Sequence, residues 1–170
     1  MPFYSTKTYG AERGLTCAYR QWTASTDCQL LHGYSLGFRF TFAAETLDVR
    51  GWVVDFGKDG FGMIRNWLHE TFDHTLLVAA DDPARGIFEK LAVAGLADLR
   101  IVPGTSCERL AEYVFEAVQN MVHEASRGRC RLRSVECLEH GANSALYEHP
   151  DAQMRQTVDE VMRAVLSALP

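Results

Sequence analysis

Tyr34-Ser35-Leu36-Gly37-Phe38-Arg39-Phe40-Thr41-Phe42 places a large apolar residue at every second position, with small or polar residues between. Side chains of an extended chain point alternately to its two sides, so this period of two predicts a strand with one buried face. Leu15 to Trp22 is its expected partner strand: it is short, suited to a sheet, and separated from the first by the polar stretch Thr23 to Asp27. Val49 to Phe56 reads as a third extended segment, ending at Gly57.

From Phe61 the period changes. Phe61, Ile64, Trp67, Leu68 and Phe72 recur every three to four residues, one face of a helix. A second helix is predicted after Pro103-Gly104, with Leu110, Val114, Ala117, Val118 and Met121 inward, and Thr105-Ser106-Cys107-Glu108 as a capping box at its start. Leu99 to Val102, between them, is either a short strand or a connector. Arg131 to Leu138 and Ser144 to Tyr147 read as strands joined by the turn His140-Gly141-Ala142-Asn143. After Pro150 a last helix carries Val158, Val161, Met162, Val165, Leu166 and Leu169 on one stripe. This order predicts a single domain of α+β class, an antiparallel sheet covered on one face, with an edge or face left for oligomer formation.

The 170 residues carry 17 Lys+Arg against 22 Asp+Glu, a net charge of −5, with 47% hydrophobic residues, enough for one domain with a core. That balance, with no basic cluster beyond the alternating Arg127, Arg129, Arg131 and Arg133, argues against nucleic acid and anionic membranes as partners. No apolar run approaches the ~20 residues of a membrane span, and Met1 to Lys7 lacks a signal-peptide pattern, so a cytoplasmic protein is expected. Five cysteines, Cys17, Cys28, Cys107, Cys130 and Cys137, are odd in number and lack CxxC spacing, which points away from a disulfide framework or a four-thiolate zinc site.

Cys28 and His32 lie four residues apart where a loop enters the predicted strand, a setting that suits catalytic groups, although spacing alone favours a small buried thiol beside a hydrogen-bonded loop histidine. Asp73-His74 follows the first helix; the carboxylate can fix the imidazole tautomer, or the histidine can simply meet the last helix carbonyls. Glu139 ends a predicted strand and can either accept two hydrogen bonds from a guanidine-like ligand edge or be solvated. His69, His123 and His149 fall on polar positions and are assigned to the surface.

In order, Cys28-x-x-x-His32-Gly33, Gly51-Trp52-Val53-Val54-Asp55-Phe56, Phe72-Asp73-His74-x-Leu76-Leu77, Ser106-Cys107-Glu108-Arg109-Leu110-Ala111, and Glu139 with Tyr147 eight residues on resemble the motifs of the 6-pyruvoyl-tetrahydropterin synthase and 6-carboxytetrahydropterin synthase family. The resemblance covers residues 14–148 and leaves 151–170 as a C-terminal helical extension. It implies a tunnelling fold: an antiparallel four-stranded sheet with two helices on one face, assembled as trimers that stack into hexamers, with active sites between subunits. The implied substrate is 7,8-dihydroneopterin triphosphate. By the same resemblance Cys28 is the thiolate that moves protons on the substrate side chain, Asp73 and His74 are its relay partners, and Glu139 anchors the pterin with Ser106 and Glu108 near the same ring.

The family holds zinc with three histidines, and here this sequence departs from it. The first-strand position is Tyr19, the second of the strand pair is Tyr34, and His32 alone remains. A phenol binds a metal usefully only when deprotonated, and its pKa of about 10 opposes that, so conventional zinc binding is not expected; His140 is the nearest further donor that could be recruited. Two functions follow. One is a lyase of the 6-carboxy type that feeds 7-deazaguanine (queuosine) synthesis, or of the 6-pyruvoyl type. The other is a pterin- or purine-binding protein with lost or altered catalysis. A purely structural oligomer would need none of these polar matches.

Overall fold

The computed structural model describes residues 2–57 and 61–148. The strand predicted from Tyr34 to Phe42 is the centre of the sheet. It is β3 (His32–Ala44), and Leu36, Phe38, Phe40 and Phe42 are at most 1% exposed. Against its first half lies β2 (Leu15–Tyr19), antiparallel, with Tyr19 opposite His32 and Cys17 opposite Tyr34. Against its second half lies β1 (Phe3–Tyr9), also antiparallel. The other edge of β3 pairs with β6 (Cys130–His140), and β6 pairs with β7 (Asn143–Glu148), through a turn at the predicted place.

The α+β class holds, and the four expected strands appear as β2, β3, β6 and β7, but the sheet is larger and mixed. It has seven strands in the order β5-β4-β2-β3-β6-β7, with β1 beside β3. β4 (Thr75–Ala79) runs parallel to β2, and β5 (Asp98–Val102) runs parallel to β4, so Leu99 to Val102 belongs to a strand rather than a connector. The expectation of an all-antiparallel four-stranded sheet is therefore corrected. Val49 to Phe56 is corrected as well, for it forms no strand. Asp48 Oδ1 accepts the N–H groups of Arg50 and Trp52, each at 2.9 Å, and Gly51 takes a φ of 79°. A side chain that captures nearby N–H groups offers the backbone a turn in place of a ladder.

Two helices cover one face. α1 (Gly62–Phe72) buries Ile64, Leu68 and Phe72, and α3 (Cys107–Ala125) buries Leu110, Ala111, Val114, Phe115, Val118 and Val122, all joined to β3 in one core. A third helix, α2 (Arg85–Val93), packs Phe88 on Leu76 and Val78, whereas Leu77 between them enters the main core. Alternate residues of a strand face opposite ways, so α2 lies on the other side of β4. The predicted helix over residues 151–170 lies outside the described residues.

Candidate functional site

Where β2 ends, β3 begins and β6 ends, four aromatic rings and a carboxylate meet. Tyr19, 1% exposed, is the cross-strand neighbour of His32 with ring centres 5.1 Å apart; Tyr34 lies 6.2 Å from Tyr19 and 5.6 Å from His32, and His140 lies 5.9 Å from Tyr34. Gly33 allows this approach, because a Cβ there would stand 3.0 Å from the Cys17 carbonyl oxygen. The Tyr19 hydroxyl donates to Glu139 Oε1 at 3.0 Å, and Asn143 Nδ2 donates to Oε2 at 3.5 Å. Burial and the neighbouring Glu139 charge push the Tyr19 phenol well above its ordinary pKa, so it stays a donor. His32 Nδ1 lies 2.7 Å from the Leu30 carbonyl, which only accepts, so Nδ1 is the donor and, in the neutral ring, Nε2 is the nitrogen with the lone pair.

A second group forms where α1 ends. Asp73 Oδ1 accepts from His74 Nδ1 at 2.7 Å and Oδ2 from His69 Nε2 at 3.1 Å; the Asp73 side chain is 13% exposed and that of His74 is 87% exposed. The carboxylate thus fixes the His74 tautomer and leaves Nε2 as an outward-facing base. His69 is on the surface as expected, yet it also braces Asp73. Beside His69 is a cavity of about 320 Å³ whose lining includes Tyr9, Arg13, Arg65 and Leu68.

Cys28 is exposed in a one-turn helix over Asp27–Gln29. Among the described residues no hydrogen bond joins it to His32, Asp73 or His74. Its loop is tied back by Arg20, which pairs with Asp82 through Nε at 2.9 Å and a terminal nitrogen at 2.7 Å and reaches the Gln29 carbonyl at 3.4 Å. Arg20, Asp82 and Asn143 are the site residues that sequence reading misses; an arginine closing a strand with an aspartate beyond the next strand is too common a pattern to be read.

At the start of α3 the cap is Ser106, whose hydroxyl accepts the Arg109 N–H at 3.3 Å. The expected capping box with Thr105 does not form: Thr105 is buried and donates to the Arg20 carbonyl at 2.7 Å. Glu108 is exposed in the first turn of α3. The Cys137 thiol interacts with Cys107, lowering the Cys107 pKa and raising that of Cys137, and the charges of Glu139 and Glu108 both reach Cys107 and oppose the lowering. The helix start and the Glu139 pocket are therefore neighbours. Burial alone pushes Cys17 up to about 12, an inert thiol.

These residues do not fit a zinc ion. His32 offers one free nitrogen, the Tyr19 hydroxyl is committed as a donor to Glu139, and His140 Nδ1 is taken by the Ala142 N–H at 3.2 Å. Among the described residues no three His, Cys, Asp or Glu side chains converge to hold a metal.

A family model described as 6-pyruvoyl tetrahydropterin synthase matches residues 10–150. The chain is 39% identical over 61 residues to the 6-carboxy-5,6,7,8-tetrahydropterin synthase of Rickettsia conorii and 41% identical over 61 residues to that of Rickettsia bellii. Each match spans 35% of this chain and 42% of the relative's length. An uncharacterized protein from Wolinella succinogenes has a similar structure, with a TM-score of 0.73 at 17% identity over 88% of this chain and 99% of that one. A catalytic-residue mutant of Plasmodium vivax 6-pyruvoyltetrahydropterin synthase follows, with a TM-score of 0.63 at 13% identity over 88% and 98%. At these identities the two structures speak for the fold.

Proposed function

The chain belongs to the 6-pyruvoyl tetrahydropterin synthase family, and from that premise we propose that it is a lyase acting on 7,8-dihydroneopterin triphosphate with loss of triphosphate. The 6-carboxy product, which feeds 7-deazaguanine synthesis, is preferred over the 6-pyruvoyl one because the Rickettsia relatives carry that name. The observation that carries the proposal is the 2.7 Å bond from His74 to Asp73, which holds an imidazole in one tautomer at the surface, its side chain 87% exposed. Glu139 accepts the paired N–H groups of the pterin, with Ser106 and Glu108 near the same ring, and a half-buried carboxylate recognises such an edge well. Cys28 moves protons on the side chain of the substrate, with His74 and Asp73 as the relay that receives and returns them. Arg13 and Arg65, lining the cavity beside His69, supply positive charge for an anionic group next to that relay. Among the described residues of one chain no hydrogen bond joins Cys28 to His74, which supports a site completed between subunits of a trimer or hexamer.

A second reading, a pterin- or purine-binding protein with altered catalysis, is favoured by one observation, the absence of a donor set for zinc among the described residues. Product analysis by mass spectrometry after incubation with 7,8-dihydroneopterin triphosphate separates the two. Conversion abolished by Cys28→Ala and retained after chelation supports a synthase that works without zinc. Unchanged substrate in the presence of a protein that still binds a pterin supports the second reading.

A further inference from the structure

Tyr19 is almost wholly buried, yet its ring ends in a hydroxyl, and a buried hydroxyl needs a partner. Its partner lies 120 residues away, Glu139 Oε1 at 3.0 Å. The ring cannot swing from this position, because Tyr19 is the last residue of β2, paired with His32, and is flanked by the His32 and Tyr34 rings. The second carboxylate oxygen is held by Asn143, across the β6–β7 turn. An ionised carboxylate accepts about four hydrogen bonds. With one taken at each oxygen by the protein, each oxygen keeps an open position for an incoming N–H pair.

We infer that Tyr19 is a positioning residue for ring recognition: its hydroxyl fixes the Glu139 carboxylate, so the pterin is held by hydrogen bonds alone at the end of the site where the family's zinc histidine would stand. The inference rests on the reading of Glu139 as the pterin anchor. Tyr19 does not touch the reacting atoms. Its loss should act on binding of the ring, in ground state and transition state alike, and therefore on KM more than on kcat.

The test is a fluorescence titration of the purified full chain with neopterin, with and without EDTA, alongside steady-state kinetics on 7,8-dihydroneopterin triphosphate. Tyr19→Phe keeps the ring and removes only the hydroxyl. Loss of one hydrogen bond to a charged group predicts neopterin affinity about ten-fold weaker, KM raised in proportion, and a smaller change in kcat. In a Glu139→Gln background the same substitution should have no further effect, whereas a role in folding alone would give independent, additive losses. EDTA should leave neopterin affinity unchanged. Should Tyr19→Phe fail to fold, Glu139→Asp, which keeps the charge but withdraws the carboxylate from the hydroxyl, should show a comparable loss. Wild-type affinity in Tyr19→Phe, or in Glu139→Asp where that stands in, with binding lost in Glu139→Gln, overturns the role of Tyr19 and leaves the anchor standing. Unchanged affinity in Glu139→Gln overturns the anchor and the inference with it, and loss of affinity on chelation overturns recognition without a metal.

Discussion

His74 holds a backbone conformation that an L-residue avoids. Its φ is 57°, its N–H is spent on the Thr16 carbonyl at 2.7 Å, and its imidazole stands almost fully in solvent, fixed only through Asp73. The left-handed region costs about 1–2 kcal/mol for a residue with a Cβ. The Asp73-His74 pair is legible in the sequence because its two residues are adjacent, whereas the αL turn that aims the ring outward is set by β2 and cannot be read locally. The same contrast separates His32, visible beside its strand, from the partnership of Tyr19 and Glu139, which only the pairing of β2, β3 and β6 brings together. His74→Gly relieves the strain and removes the base. The expected outcome is a protein more stable by about 0.5–1 kcal/mol in urea unfolding, once the greater backbone freedom of glycine is set against the relief. Turnover should fall by about 100-fold or more. Equal or lower stability with turnover retained would show that neither strain nor a proton relay resides at His74.

At the scale of elements, the loop that carries Cys28 is held by an ion pair rather than by apolar packing. Leu30 and Leu31 are exposed, while Arg20, 24% exposed at its side chain, clamps Asp82, whose side chain is 1% exposed. The Arg20 hydrogen bonds hold the Asp82 carboxyl below the usual carboxylate range, against the opposing effect of burial. A depressed carboxylate adds stability that is fully present above its unfolded pKa of about 3.9 and is lost as pH falls through the lower folded value. Melting temperature measured from pH 7 to pH 2 should therefore drop below about pH 4, and Asp82→Asn should make that limb shallower without abolishing it, since Asp48 and Asp55 shift in the same direction. At neutral pH the same substitution removes the charge opposite Arg20, which keeps the Gln29 carbonyl as a partner, and should cost about 1–3 kcal/mol. An acid limb as steep in Asp82→Asn as in the wild type would assign it to other groups. Elements with one clean apolar face, β3, α1 and α3, are legible from periodicity. β1 is not, because most of its residues are exposed, and β4 is not, because all five of its residues are buried and a short apolar run has no period.

For the whole molecule, the order of elements is enough to predict the α+β class, but the extent of the sheet depends on pairings no local pattern encodes. Those pairings leave β1 and β7 each bonded to one neighbour among the described residues, with Phe3, Tyr4 and Leu146 exposed along them. Unpaired edges with apolar side chains favour pairing with further copies. If such an assembly completes the site, Cys28 of one subunit serves His74 of another, and two inactive variants should rescue each other. Cys28→Ala and His74→Ala subunits, co-expressed in equal amounts, assemble at random. About a quarter of the boundaries then join an intact Cys28 to an intact His74 in the required order, so about a quarter of wild-type turnover should return. Each variant purified alone should stay inactive while eluting at the same assembled size on a gel-filtration column. Mixed assemblies no more active than either variant would place Cys28 and His74 in the same chain's site, and the loop held by Arg20 would then have to move to join them.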